Sequence, residues 1–331
     1  MSARIGIVAI GRNEGARLQS CLGSLPAERS VVYVDSGSTD DSVSLARACG
    51  AHIVELDTAT PFTAARARNA GFERLLAEAP EVDLVQFVDG DCELRRDWLA
   101  EAVAYLDRHA DVAAVCGRRR ERYPDASRWN RLADFEWDTP VGDAATFGGD
   151  VLLRVAAFRA TGGYDVTRIA GEDPDLALRI CRAGHRIMRL DSEMTLHDAA
   201  LDSFGAWWRR AVRGGHAYAE AWYRSSGDAE PALRRHLASN LFWAGLVPGV
   251  ALGLAPWTSG VSLAAGAGAW AALGLRIYRS MLRRGRSRAD AGLLATALVG
   301  CKVAELQGAL VFAWNHLLRG APTRLIEYKG R

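Results

Sequence analysis

A long uncharged run in the last third of the chain restricts its possible folds more than any other feature. Residues 237–275 include no charged side chain. As one helix this run would be about 58 Å long, roughly twice the thickness of a hydrocarbon core. Two membrane spans joined at the turn-forming segment 256–260 fit that length, and we predict such a hairpin at about 238–278. The alternative is a buried helical hairpin of a soluble protein, because Gly and Ala are abundant here.

Charge is distributed unevenly along the chain. From Leu237 onward there are 11 Lys and Arg against 3 Asp and Glu, whereas the preceding part has 30 against 36. Six arginines lie between 276 and 288, directly after the uncharged run, and such clusters favour the cytoplasmic side of a membrane. The apolar run near the N-terminus is too short for a signal peptide. We therefore expect membrane lipids as partners and a location in the inner (cytoplasmic) membrane, with the acidic front part in the cytoplasm. An acidic front part also argues against a nucleic-acid partner.

A second apolar segment follows at about 289–318, with Lys302 and Glu305 near its centre. Their spacing of three residues allows a mutual ion pair on one helix face. If this segment spanned the membrane, four basic residues after it would lie outside, against the charge rule: Arg319, Arg324, Lys329 and Arg331. We therefore predict a pair of interfacial or re-entrant helices here.

The front half alternates short apolar runs with helical patterns. Runs of strand length occupy 4–10, 31–35, 52–56, 84–89 and 112–116, and apolar residues at helical spacing occupy 14–22, 40–49, 62–77 and 96–109. This alternation predicts an α/β fold with a mostly parallel twisted sheet and helices on both faces. We predict a catalytic domain at 1–236, whose less regular part from 118 onward completes the site, and a membrane region at 237–331.

Polar clusters follow several of the predicted strands. Such positions meet at one edge of a parallel sheet, where ligands bind. Asp89 and Asp91, separated by one glycine, could hold Mg²⁺ or Mn²⁺, although many turns contain the same pattern. Asp173 precedes Pro174, and the pair could simply start a helix at 175–182, with Asp173 as its N-cap.

Taken together, these motifs resemble the family 2 glycosyltransferases, the inverting nucleotide-sugar enzymes of the A-type fold. The resemblance covers about 4–215, and its parts occur in the family's order: Asn13-Glu14, Val34 to Asp40, Ala67 to Gly71, Asp89-Gly90-Asp91, Gly162 to Asp165 and Glu172-Asp173. The segment from Trp207 to Gly214 resembles a degenerate form of the family's Gln-x-x-Arg-Trp acceptor segment. It lacks the Gln and the final Trp.

The resemblance implies a role for each matching residue. A nucleoside-diphosphate sugar of the UDP or GDP type would be bound by Asn13, Glu14, Asp35, Arg68 and Asp89. The cation, Mg²⁺ or Mn²⁺, would be held by Asp91 with help from Asp89 and His197, although His197 could equally be an ordinary polar residue after a strand. Asp173 would be the general base, and Glu172 would orient its loop or bind the acceptor. Acceptor contacts would come from Trp208, Arg210 and Arg213.

The expected activity is metal-assisted transfer of a sugar, with inversion, to a lipid-linked or surface-glycan acceptor. The basic run at 118–122 is either a solvated face or a phosphate contact. Two alternatives stay open. A sugar nucleotidyltransferase would share the sheet and the carboxylates but usually opens with a glycine-rich phosphate loop, which is absent from Val8 to Glu14. A non-catalytic membrane scaffold would be expected to have lost the carboxylates.

Overall fold

The computed structural model describes residues 4–168, 170–225 and 231–318. The chain forms two compact units: Met1–Asp125 with Ala133–Ala200, and Ala126–Leu132 with Leu201–Arg331. Apart from the short segment Ala126–Leu132, the second unit therefore begins at Leu201. Our boundary at 236 concerns the extent of the catalytic region and stays a prediction.

The first unit contains a nine-stranded sheet in the order β3-β2-β1-β4-β8-β6-β9-β5, with β7 also paired to β9. Its strands are β1 (Ile5–Gly11), β2 (Ser30–Asp35), β3 (His52–Glu55), β4 (Leu84–Asp89), β5 (Cys92–Leu94), β6 (Val112–Glu121), β7 (Gly142–Asp143), β8 (Val151–Arg154) and β9 (Arg186–His197).

The predicted α/β class is confirmed, but the sheet is mixed. Its β3-β2-β1-β4 part is parallel, as predicted, and so is the β6–β9 pair. Strand β8 runs antiparallel to both β4 and β6, and β5 and β7 run antiparallel to β9. Antiparallel pairs need no helical crossover, so these short strands leave no strand–helix alternation in the sequence.

The helices of the first unit are α1 (Ala16–Gly23), α2 (Ser42–Ala48), α3 (Ala64–Glu78), α4 (Trp98–Arg108), the end of α5 (Arg128–Trp137), α6 (Val155–Ala160) and α7 (Glu172–Arg182). Helix α3 approaches the sheet closely at Gly71, where a Cβ atom would overlap the side chains of Val8 and Val34. Arg68 lies on α3 one turn before this contact, so the same packing directs its side chain toward the strand ends.

The second unit is helical. Besides the start of α5, its helices are α8 (Phe204–Arg224), α9 (Pro231–Asn240), α10 (Val247–Leu254), α11 (Val261–Arg283) and α12 (Arg288–Ala313), with π-helical turns at Leu241–Leu246 and Trp314–Leu318. Three helical segments are long and apolar enough to cross a membrane: Leu233–Leu254, Val261–Arg283 and Arg288–His316. The first two correspond to the predicted hairpin.

The third segment differs from the prediction in two ways. It is one continuous helix through Ala313 rather than a helix pair. Lys302 and Glu305 also bond to α9 rather than to each other. Lys302 Nζ donates to Asn240 Oδ1 at 3.0 Å, and Asn240 Nδ2 donates to Glu305 at 2.8 Å. Glu305 also bonds His236 at 2.8 Å. An interfacial placement stays a prediction, and the four basic residues used to argue for it lie outside the described residues.

Candidate active site

The loops after β1 and β2 are joined by hydrogen bonds. Asn13, whose φ is +55°, donates its N–H to Ser38 Oγ at 2.9 Å and accepts the Thr39 N–H at 2.7 Å. Asp35 ends β2 and accepts the N–H groups of Gly37 and Ser38 at 2.9 and 2.7 Å. Its side chain is therefore held at the edge of the sheet by its own loop.

Glu14 lies beside this pair of loops. Its N–H donates to Ser42 Oγ at 3.2 Å, and its carboxylate forms an ion pair with Arg17 at 2.9 Å. In the register of the sheet, Ile10 and Gly11 at the end of β1 lie opposite Asp89 and Asp35. The predicted nucleotide residues Asn13, Glu14 and Asp35 are thus brought to the edge of the sheet at which Asp89 also lies.

Arg68 joins three carboxylates that are distant in sequence. Its Nη2 donates to Asp89 at 2.8 Å, and its Nη1 donates to Glu172 at 3.0 Å and to Asp173 at 3.3 Å. The guanidinium is 3% exposed and lies over the ring of Tyr164. A buried charge of this kind is retained only when it is paired. Arg68 is therefore the centre of an acidic cluster rather than an exposed arginine ready for a ligand.

The cluster shifts the pKa values of two carboxyl groups, Asp173 and Asp89, in opposite directions. Burial raises the pKa of Asp173 to about 8, because Glu172 and Asp89 add to the burial and Arg68 offsets only part of it. Burial also raises the pKa of Asp89, but Arg68 and Arg119 more than offset this, and the pKa lies below its usual value. Two neighbouring carboxyl groups with pKa values driven apart are suited to different roles, one a base and the other a permanent anion.

Asp91 and His197 form a second group of candidate ligands. His197 Nε2 lies 3.3 Å from Asp91 Oδ2, and both side chains are buried. The Sγ atom of Cys92 is close enough to join them. Burial keeps the pKa of that thiol well above its usual value. Mn²⁺ and Mg²⁺ prefer oxygen ligands to sulfur, so the carboxylate of Asp91 is the better ligand. The His197 Nδ1 atom is buried without a hydrogen-bond partner. Because His197 Nε2 and an oxygen of Asp91 lie 3.3 Å apart, the residues present fit a divalent cation held by Asp91 and His197.

Asp89 is placed less favourably for the metal role. One of its oxygens accepts from Arg68, and the other lies 3.2 Å from Arg119 Nη2. A carboxylate bonded by two guanidinium groups has little remaining negative charge to offer a cation. This arrangement favours the donor-contact role over the metal role among the two that we predicted for Asp89.

Two residues of the site were not identified from the sequence. Asp150 is fully buried, and it accepts the Asp89 N–H at 3.0 Å, the Thr195 hydroxyl at 2.7 Å and the Arg119 Nε at 3.0 Å. It therefore joins three strands at the Asp89 loop. In the sequence Arg119 is only one member of a basic run; in the structure its side chain points inward, to Asp89 and Asp150.

The predicted N-cap role of Asp173 is wrong. Helix α7 begins at Glu172, and its N-cap is Gly171 at φ +80°. A residue with a Cβ atom would be strained at this φ, so glycine suits the position. Asp173 lies within the first turn of the helix. Its carboxylate is therefore available to face Arg68.

The predicted acceptor residues all belong to one helix. Trp208, Arg210 and Arg213 are on α8, in the second unit. There Trp208 Nε1 donates to Gln307 of α12 at 2.9 Å. Their acceptor role stays a prediction.

Comparisons with known proteins identify the family. The model of "Glycosyl transferase family 2" matches residues 7–159. An uncharacterized glycosyltransferase of Mycobacterium bovis is 30% identical over 190 residues, which is 54% of this chain and 79% of the relative. The chain belongs to glycosyl transferase family 2.

Other similarities extend further along this glycosyltransferase. A succinoglycan biosynthesis protein of Rhizobium meliloti is 27% identical over 288 residues, covering 80% of this chain and 84% of the relative. Two further relatives are spanned for only about half of their length, 52% and 46%. A mannosyltransferase of Pyrobaculum calidifontis, solved in complex with GDP-Man and Mn²⁺, shares the fold with a TM-score of 0.61 at 20% identity, covering 95% of this chain and 88% of that one.

Proposed function

We propose that this glycosyltransferase moves a sugar from a UDP- or GDP-sugar to a lipid-linked or surface-glycan acceptor, with inversion, and that Asp173 is the general base. The observation that carries the proposal is the Arg68 cluster, which brings Asp173 within 3.3 Å of the guanidinium that also binds Asp89. Family membership favours sugar transfer over our two alternatives, nucleotidyl transfer and an inactive scaffold.

The donor would occupy the edge of the sheet. Asp35 would accept hydrogen bonds from the nucleobase, since its carboxylate is already fixed by its loop. Asp89, a permanent anion, would accept from the hydroxyls of the ribose or the sugar. The relatives and the mannosyltransferase neighbour support a nucleotide-sugar donor, since that neighbour was solved with both GDP-Man and Mn²⁺ bound.

Asp91 and His197 would hold the cation, Mn²⁺ or Mg²⁺. When bound, a divalent cation neutralises the charge that develops on the departing diphosphate. Arg68, which donates to Asp89 at 2.8 Å, would place its positive charge near the donor diphosphate.

Asp173 would remove the proton from the acceptor hydroxyl as that oxygen attacks the anomeric carbon. A base with a pKa near the working pH is effective, because it is both available and strong enough. Glu172, which shares the Arg68 Nη1 group, would orient the first turn of α7, which carries the base.

The second unit supports attachment to a membrane. Three of its helical segments have the length and composition of spans, and the exposed Arg283, Arg284 and Arg288 lie where the second ends and the third begins. We propose the inner membrane as the location, with the catalytic unit in the cytoplasm, and an acceptor that arrives from the bilayer. Trp208, Arg210 and Arg213 would contribute to its recognition.

A donor screen tests the proposed reaction. Full-length protein in detergent would be incubated with UDP- and GDP-sugars, Mn²⁺ or Mg²⁺, and glycan acceptors with and without a lipid tail. We expect metal-dependent transfer from one donor class, an inverted anomeric centre by NMR, and a preference for the lipid-linked acceptor. A retained anomeric configuration would refute the mechanism, and indifference to the tail would refute a lipid-linked acceptor.

A further inference from the structure

The buried carboxylate of Glu121 has no role in the mechanism above. Glu121 ends β6 and is 4% exposed. Its Oε1 accepts the Tyr123 N–H at 3.0 Å, and its Oε2 accepts the Ala199 N–H at 3.1 Å. Two backbone donors from separate segments thus fix the carboxylate in one orientation.

Glu121 lies directly opposite His197. The two residues are paired in the register between β6 and β9, and the next residue, Arg122, donates its N–H to the His197 carbonyl at 2.9 Å. The backbone positions of both residues are therefore set by the sheet rather than by a flexible loop.

The imidazole of His197 lies between two carboxylates. Its Nε2 is 3.3 Å from Asp91, and its Nδ1 is 4.0 Å from Glu121 Oε2. The ring of Trp137 lies 4.5 Å away in a T-shaped contact and limits rotation of the imidazole. Nδ1 is buried and has no hydrogen-bond partner. A shift of roughly 1 Å would bring Nδ1 within hydrogen-bond distance of Oε2.

We propose that Glu121 is a positioning residue for the cation site, whose Oε2 accepts the Nδ1–H of His197 and so directs the Nε2 lone pair toward the cation beside Asp91. This inference rests on the proposed cation site. A proton on Nδ1 leaves Nε2 unprotonated, which is the tautomer that a metal requires. A carboxylate behind a metal-binding histidine also orients the ring and makes its free nitrogen a stronger ligand.

A structural explanation for Glu121 exists and makes a different prediction. The carboxylate satisfies two backbone N–H groups, so its removal would disturb the loops at 123 and 199 whatever happens at His197. A purely structural role would change stability without changing cation affinity. The affinity of the folded protein therefore separates the two explanations.

The experiment measures binding of Mn²⁺ alone to full-length protein in detergent, from the loss of the free-ion EPR signal. We expect Glu121→Gln to weaken Mn²⁺ binding by about 10- to 100-fold. Glu193→Gln is the matched control, because it also replaces one glutamate by glutamine. Glu193 lies on β9, is 43% exposed and pairs with Arg95. We expect this variant to bind Mn²⁺ with unchanged affinity. In a His197→Ala background, Glu121→Gln should have no further effect.

The outcomes separate the positioning role from the cation site itself. Absence of Mn²⁺ binding by the wild type would overturn the cation site and with it this role. Equal affinity of the wild type and Glu121→Gln, or an equal loss in the His197→Ala background, would overturn the role of Glu121 alone.

A second measurement needs no substitution at Glu121. The ¹⁵N shifts of His197 in the Mg²⁺-saturated wild type, assigned by comparison with the His197 variant among the seven histidines, report its tautomer. We expect the proton on Nδ1; a proton on Nε2 would overturn the proposal.

Discussion

The pH dependence of transfer tests the assignment of Asp173 as the base. A carboxyl with a pKa of about 8 is roughly one-tenth ionised at pH 7 and about half ionised at pH 8. The base acts only when deprotonated, so activity should fall as the pH drops through 8. We expect kcat/KM to rise about tenfold from pH 6 to 7 and to level off above about pH 9.

Asp173→Asn should lower kcat/KM by about 10²- to 10⁴-fold and remove this acidic limb, because the residual reaction no longer depends on that proton. Donor binding should persist, since the assigned donor contacts come from other residues. Initial rates of diphosphate release at subsaturating acceptor and saturating Mn²⁺, measured from pH 6 to about 9.5, would give both quantities.

Asp175→Asn provides the matched control. Asp175 lies on the same helix but pairs with Arg168 and Arg179 rather than with Arg68. We expect this variant to keep the limb near pH 8. Unchanged turnover in Asp173→Asn would refute the base assignment. An acidic limb that survives the substitution would show that another group is responsible for it.

Two further substitutions test the packing that supports the site and the helical unit. Asp150→Asn removes a fully buried carboxylate that lies 2.7 Å from Arg119, and should lower the free energy of unfolding by about 3–5 kcal/mol; an unchanged denaturant midpoint would contradict this. Gly215→Ala should destabilise the protein because its Cβ would overlap the backbone of Glu305 on α12. Gly214→Ala meets no atom within 4 Å and should stabilise by up to about 1 kcal/mol; equal melting temperatures for the two variants would refute the close helix contact.

The sequence predicted the parallel part of the sheet and the residues at its edge. Strand β1 is buried along most of its length. Its continuous apolar run therefore identifies it as a strand even when the neighbouring strands are unknown. Asp35 and Asp89 follow such runs, and the direction of parallel strands alone brings them to one edge. The positions of Asn13 and Glu14 follow from the same argument.

Contacts that depend on antiparallel insertion were not predictable. Asp150 precedes β8 by one residue, and nothing in its neighbourhood indicates that β8 enters between β4 and β6. Arg119 resembles Arg118 and Arg120 in sequence, whereas its side chain is 16% exposed against 35% and 43% for its neighbours. The alternation of a strand distinguishes inward from outward residues only when the strand is recognised, and the predicted run ended at 116.

The helical unit shows the same limitation. Hydropathy identified the two predicted spans, but the basic residues that follow 318 led us to predict a pair of interfacial or re-entrant helices instead of a third continuous one. The partners of Lys302 and Glu305 lie on α9, in a different part of the chain, so the sequence could suggest only a mutual ion pair.

Arg68 has a consequence for how this site can diversify. One guanidinium serves as the common counter-ion of Asp89, Glu172 and Asp173. Replacement of Arg68 by a neutral residue would leave the three acids in a closed space without their shared positive charge, while loss of any one acid would alter the ionisation of the other two. These four residues are therefore expected to change together, so a homologue that lacks one of them should carry substitutions at the others.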